Sequence, residues 1–146
     1  MPSTPLCVRL GLVALLLALT AGCSGENWTM NEQVDGTVKL DGEPLANAVV
    51  EFVPDLDKKK QAPISRGTTD DKGHFVLTCD NKKPGAVIGK HNVLVHTGRT
   101  EGDGKPPPTL PGVYSNPVKT PLKIEVTADK HTYDLNVSMK PGSEKK

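Results

Sequence analysis

The sequence predicts an all-β domain built as an antiparallel β-sandwich of about seven strands. The 146 residues include 14 glycines and 13 prolines, and aromatic residues make up only 3%. No long segment shows the 3.6-residue periodicity of an amphipathic helix. Short alternating segments separated by turn residues are found instead, so we expect two sheets packed face to face around a core of valine, leucine and isoleucine.

Hydrophobic and polar residues alternate along the predicted strands, which indicates that each buries one face. In the first strand Val34, Val38 and Leu40 face one way, and the residues between them face the other. The third strand is expected at a sheet edge. The predicted strands cover residues 34–40, 48–53, 65–69, a segment containing Phe75 and Leu77, 89–95, 122–126 and 133–139.

Turn residues separate these strands. Asp41-Gly42 predicts a tight turn, and Pro54 ends the second strand because proline has no N–H group for the ladder. The sequence TDDKGHF, residues 69–75, predicts a hairpin turn in which aspartates accept backbone N–H groups and Gly73 takes a positive φ.

Residues 99–118 break all periodicity and include the prolines Pro106–Pro108. Loops of more than about 12–15 residues are uncommon unless they are functional or mobile. We therefore expect this loop to be the most mobile segment of the domain and a candidate binding element. A crossover between the sheets, stiffened by the prolines, is the alternative.

The N-terminus predicts export. A positive charge at Arg9 precedes the apolar run Leu10–Leu19, and small residues lead up to Cys23. The run is about half the roughly 20 residues that a spanning helix needs. We interpret residues 1–22 as a signal peptide, 23–32 as a tether, 33–140 as the folded domain and 141–146 as a flexible tail.

The string LTAGCS at residues 19–24 resembles the bacterial lipobox. The resemblance implies that Cys23 becomes the mature N-terminus and carries a diacylglycerol and an acyl chain such as palmitate. Thr20 departs from the motif, which usually has leucine there, and a cleaved signal with an incidental cysteine is the alternative. Ser24 is not the aspartate that retains some lipoproteins in the inner membrane. We therefore expect the outer membrane, with the domain in the periplasm or at the cell surface.

Three segments in order resemble carboxypeptidase regulatory-like domains, which have a transthyretin-like (prealbumin-like) β-sandwich. His91 replaces a family tyrosine, and six other residues match family positions: Ala48, Gly73, Phe75, Gly89, Val93 and Val95. The resemblance implies this fold over residues 33–140 and implies no common ligand or chemistry. The segments are VDGTVKLDGEPLANAVVEFVP (34–54), TDDKGHF (69–75) and GKHNVLV (89–95), and YSNPVKTPLKIEV (114–126) is similar to a subgroup of small bacterial lipoproteins.

The sequence contains no recognisable motif for nucleophilic catalysis, phosphate binding or zinc, so we expect no enzymatic activity, no cofactor and no metal. His91 and His96 are an odd number of residues apart on one strand and should point to opposite faces. We expect His91 to be a hydrogen-bonded interior residue. The 18 basic and 17 acidic residues give a net charge of +1, and the balance is zero once Arg9 leaves with the signal peptide, so nucleic-acid binding is not expected.

These observations predict a membrane-anchored bacterial lipoprotein with a non-catalytic β-sandwich. The lipid on Cys23 would hold it to the membrane, and the domain would serve as a binding or structural module at the cell envelope, with an envelope protein or a glycan as its partner. The alternative is a hydrolase or small-ligand carrier with its site at the 99–118 loop. Packing of that loop on the sheet edge would favour the module, and a pocket of converging polar groups would favour the alternative.

Overall fold

The computed structural model describes residues 27–56, 61–98 and 107–142, and these residues form an all-β sandwich, as predicted. No α-helix is present in these three ranges, and a 3₁₀ turn spans Gly112–Ser115. The strands are β1 Met30–Asn31, β2 Asp35–Leu40, β3 Glu43–Pro44, β4 Ala48–Pro54, β5 Ser65–Thr68, β6 His74–Val76, β7 Thr78–Cys79, β8 Ala86–Val87, β9 Gly89–Thr97, β10 Lys123–Val126 and β11 Thr132–Val137.

Within the described residues the strands form three sheets. The first has the strand order β10–β9–β4–β5–β7 and is antiparallel throughout. Its centre is the pairing of β4 with β9, which runs from Ala48 opposite Thr97 to Pro54 opposite His91. The second sheet places β2 between β11 on one side and both β3 and β6 on the other. The short strands β1 and β8 form a third, two-stranded sheet.

The pairing of β2 with β11 is parallel, which departs from the antiparallel sandwich predicted. Asp35 lies opposite Thr132, and Leu40 lies opposite Val137. The chain ends β10, crosses to the second sheet through residues 127–131 and then starts β11 at the end of the sandwich where β2 also starts. The two strands therefore run in the same direction.

The structure divides the predicted strands more finely than the alternation indicated. Leu77 separates β6 from β7, and these two strands belong to different sheets. Because β7 pairs with β5 at Ser65 and Arg66, β5 has neighbours on both sides. The prediction of an edge strand at residues 65–69 was therefore wrong, since the chain that switches sheets at Leu77 supplies a further strand.

Both predicted turns are confirmed. Asp41 and Gly42 have φ values of 50° and 96°, and Gly73 has a φ of 74°. The carboxylate of Asp70 accepts the backbone N–H groups of His74 and Lys72, each at 2.9 Å. These two hydrogen bonds, that of His74 first, lower the pKa of Asp70 below its ordinary value because they stabilise the ionised carboxylate.

The core lies between the two large sheets and consists mostly of valine, leucine and alanine side chains. Phe52 is at its centre, with its ring centroid 6.3 Å from that of Phe75, 6.2 Å from Tyr133 and 5.7 Å from His91. All four side chains are buried. The alternation of β2, β4, β9 and β11 delivers every second residue to this core, as predicted from the sequence.

The end of the sandwich at which β2, β9 and β11 begin is called here the basal end, and the opposite end, where β2 turns into β3, the apical end. Strands β1 and β8 cross the basal end and close the core there, with Ala86 and Val87 buried. Met30 and Asn31 belong to this closure. The folded unit therefore begins before residue 33, and the last residues of the predicted tether are part of the domain.

Candidate functional site

Cys23, the predicted lipid-attachment residue, lies outside the described residues. The chain is fixed to the domain from Thr29 onwards, because the carbonyl of Thr29 accepts the backbone N–H of Ile88 at 2.8 Å. Met30 and Asn31 then pair with Val87 and Ala86. Five residues thus lie between the predicted attachment residue and the first fixed residue.

Asn31 holds this N-terminal segment to the loop between β10 and β11. Its side-chain amide nitrogen donates to the carbonyls of Thr127 and Lys130, each at 2.8 Å, and its side-chain oxygen accepts the backbone N–H of Gln33 at 3.1 Å. The side chain is buried, although asparagine is usually exposed. Burial is tolerated here because each of its polar atoms has a partner.

His131 adds a second link at the basal end. Its Nδ1 lies 3.1 Å from the side-chain oxygen of Asn31 and 3.0 Å from the carbonyl oxygen of Gln33. Because both neighbours are acceptors, Nδ1 carries the hydrogen and the imidazole donates to them. The N-terminal segment is therefore fastened to residues that follow it by about a hundred positions.

The described part of the 99–118 loop is packed against the domain. Leu110 and Tyr114 belong to the core, with only 8% and 3% of their surface exposed. The phenol oxygen of Tyr114 accepts the backbone N–H of Ser138 at 2.9 Å. For residues 107–118 the prediction of a mobile segment is therefore not supported by the packing, because two apolar side chains within the proline-rich sequence are buried; residues 99–106 lie outside the described residues.

A cavity of about 300 Å³ lies between Pro107, Pro108 and the turn that joins β2, β3 and β4. The residues that line it are mostly apolar, and Glu43 and Asn47 are its two polar side chains. Asn47 is held in the left-handed region at a φ of 56° and contributes its backbone carbonyl to a bond from Gly98. At this cavity the described part of the loop packs on the sandwich, and the lining is mostly apolar.

His91 is an interior residue, as predicted, with 2% of its surface exposed. Its Nδ1 lies 3.0 Å from the carbonyl oxygen of Gly89 and therefore carries the hydrogen. Its buried Nε2 has no hydrogen-bond partner among the described residues. Burial lowers the pKa of His91 because the charged imidazolium would lose its solvation, and the bond to Gly89 opposes this only in part.

The outer face of the second sheet carries an acid, an imidazole and a hydroxyl group within reach of one another. The hydroxyl of Thr132 donates to Asp35 at 3.1 Å, and the other carboxylate oxygen of Asp35 lies 3.4 Å from Nε2 of His74. A nucleophile needs its hydroxyl against the imidazole that would take its proton. Here the hydroxyl contacts the carboxylate, so the three groups stabilise pairing between β2, β6 and β11 and do not form an activated nucleophile.

None of the described helices is long and apolar enough to cross a membrane. In the three described ranges, no three histidine, cysteine or acidic side chains come together as metal ligands. Compared with known proteins, the chain matches no family model, no curated protein and no solved structure.

Proposed function

We propose that this protein is a bacterial envelope lipoprotein whose β-sandwich acts as a non-catalytic binding or structural module. The observation that carries the proposal is the order of features at the N-terminus. An apolar run of about ten residues is followed by the sequence TAGC, and the folded domain is fixed only six residues after that cysteine. This is the arrangement that a lipid-tethered domain requires: a processed signal, an acylated cysteine and a short linker.

We assign the domain, within the same proposal, to the carboxypeptidase regulatory-like domains. Three features support the assignment. The β-sandwich extends over the segments that resemble the family, the Asp70–Gly73 turn is capped by its aspartate, and His91 is buried at the position where the family has tyrosine. The remaining family-like residues on β9, Val93 and Val95, are also buried.

The polar side chains of the second sheet form hydrogen bonds between neighbouring strands, and this supports a binding or structural role. Thr132 and Asp35 bond across the pair β2–β11, and Thr37 donates to Asp134 across the same pair at 2.6 Å. Cross-strand bonds of this kind stabilise a sheet, and the outer face of β2 and β11 carries polar side chains, with Val76 of β6 exposed beside them. Such a face offers donors and acceptors to an envelope protein or a glycan.

The test of the anchor compares the full chain with a Cys23→Ser variant in a bacterial host that processes lipoproteins. We expect the wild-type protein in the detergent-extracted membrane fraction, with an N-terminal peptide that begins at Cys23 and has the added mass of its acyl chains. The Cys23→Ser protein should lack that mass and leave the membrane fraction. A Cys79→Ala variant is the matched control, since it removes a buried cysteine from β7 and should keep the lipid.

Equal partition of the wild-type and Cys23→Ser proteins into the soluble fraction, without lipid mass on either, would refute the proposed function. The partner is sought separately, by cross-linking the acylated protein in its native envelope and identifying the bound material. An Asp134→Lys variant changes the charge of the exposed outer face without touching the core, and it should reduce the captured partner.

A further inference from the structure

We propose that the basal end of the sandwich rests on the lipid bilayer, with Trp28 in the membrane interface. The inference rests on the proposed lipid anchor and adds the orientation of the domain and the residue that touches lipid. The occupant of this surface is a bilayer, because the short chain between Cys23 and the first fixed residue limits how far the domain can lie from the membrane.

Six residue steps separate Cys23 from Thr29. This segment spans at most about 20 Å when the chain is fully extended. Strand β9 has nine residues and runs from the basal to the apical end over about 30 Å. The linker is therefore shorter than the domain is long. An anchored domain must keep the exit point of its chain, which lies at the basal end, close to the membrane surface.

The exit point itself is rigidly held. The backbone bond from Ile88 to Thr29, the β1–β8 pairing and the two bonds from Asn31 to Thr127 and Lys130 all join it to the sandwich. Lengthening the linker by releasing β1 would break these bonds and expose the buried amide of Asn31. Any lengthening of the linker by release of β1 would therefore destabilise the domain.

Trp28 precedes this fastening by a single residue and is half-buried at the basal end. Tryptophan is favoured at membrane interfaces because its ring is apolar and its N–H can bond with headgroups. Leu56, which follows β4 at the same end, is also partly exposed, at 37%. The basal end thus presents apolar side chains where the linker holds it against lipid.

The test uses the intrinsic fluorescence of Trp28, which is the only tryptophan of the chain. The acylated full-length protein is reconstituted into vesicles of phosphatidylethanolamine and phosphatidylglycerol, with and without brominated acyl chains. We expect its emission to shift to shorter wavelength relative to the non-acylated Cys23→Ser protein. We also expect brominated lipid to quench it strongly.

The matched control moves the reporter to the apical end. A Trp28→Phe/Glu43→Trp double variant keeps one tryptophan and places it at an exposed position just after the turn that follows β2. Its emission should be insensitive to brominated lipid and should instead be quenched by a water-soluble quencher. Equal quenching of the two reporters by lipid would overturn the orientation.

Flotation of the protein with the vesicles separates this inference from the anchor. Flotation with an unquenched Trp28 would refute the basal orientation while leaving the lipid anchor in place. Absence of flotation, with no acyl mass on the N-terminal peptide, would refute the anchor and the orientation together.

Discussion

The side-chain amide nitrogen of Asn31 lies 2.8 Å from the carbonyl oxygen of Lys130, which is 99 residues further along the chain. The second hydrogen of the same amide bonds the carbonyl of Thr127. One buried side chain therefore joins the first strand of the domain to the loop that leads into its last strand. The stability of the basal end depends on these bonds.

An Asn31→Ala variant should lose about 1 to 3 kcal/mol of unfolding free energy, because the two hydrogen bonds from its buried amide to the partly buried carbonyls of Thr127 and Lys130 are lost. Urea denaturation followed by circular dichroism measures this loss, and amide hydrogen exchange at Ile88 should become faster as β1 loosens. Asn27→Ala, at an exposed position, is the control and should unfold like the wild type. An unchanged unfolding midpoint for Asn31→Ala would show that water replaces the amide without cost.

Leu110 anchors the described part of the proline-rich loop in the core, so Leu110→Ala should cost about 2 to 5 kcal/mol. Val118→Ala is a matched control in the same loop, since that side chain is 85% exposed and its loss should change stability by less than about 0.5 kcal/mol. Thermal unfolding of both variants provides the comparison. If the two changes cost the same, the loop does not stabilise the sandwich.

Replacement of residues 101–110 by a flexible linker removes Leu110 and should lower the melting temperature. A loop that was mobile throughout would instead tolerate this replacement with little change. A shorter replacement, of residues 101–106 only, retains Leu110, Pro107 and Pro108 and should preserve stability. The difference between the two melting temperatures then measures the contribution of Leu110 and its neighbours.

Stability should fall with acidification because of His91. Its folded-state pKa is lowered by burial from the ordinary value of 6.5, so the unfolded chain binds the proton more readily. Above pH 6.5 His91 is mostly neutral in both the folded and the unfolded chain. As the pH falls below 6.5, the unfolded chain takes up the proton first, and the free energy of unfolding decreases. His91→Phe removes the titration, and its unfolding midpoint should change less than that of the wild type between about pH 7 and about pH 5.

The control for this pH dependence is His74→Asn, since His74 lies on the outer face of β6 with 43% of its side chain exposed. This variant should retain the loss of stability on acidification. If His91→Phe and the wild type lose stability equally, the acid sensitivity must come from other groups.

Gly36 allows β2 and β11 to approach each other and Phe75 to lie over the strand. A Cβ atom at this position would overlap the carbonyl oxygen of Tyr133. Gly36→Ala should therefore destabilise the protein more than any surface change and reduce the yield of folded protein. Gly112→Ala is the control, because nothing lies within 4 Å of its added methyl group. Equal melting temperatures for the two variants would contradict this account of the β2–β11 pairing.

The sequence was sufficient to predict the fold class and the turns, because these depend on local chemistry. Alternation in β2, β4 and β9 and the cap at Asp70 are determined by neighbouring residues. The β1–β8 pairing could not be predicted in this way, since strands of two residues have no periodicity to detect. Neither could the parallel partnership of β2 and β11, which depends on how the chain crosses between sheets.

The buried residues of the candidate site were harder to predict from the sequence for a related reason. Asn31 looked like part of a polar tether, and only the two carbonyls brought to it from Thr127 and Lys130 make its burial favourable. Leu110 and Tyr114 lie in a sequence with no repeating pattern, so no local signal marks them as core residues. The interior position of His91 was predicted correctly because it occupies the same face of β9 as Val93 and Val95.

The side-by-side position of β2 and β11 also determines when the protein can fold. Thr37 on β2 and its partner Asp134 on β11 are 97 residues apart. During synthesis, and again during the proposed export, the second residue emerges only after the residues that separate it from the first. Until then one edge of β2 has exposed N–H and C=O groups and can pair with other chains. The unfinished polypeptide is therefore the form most in need of a chaperone.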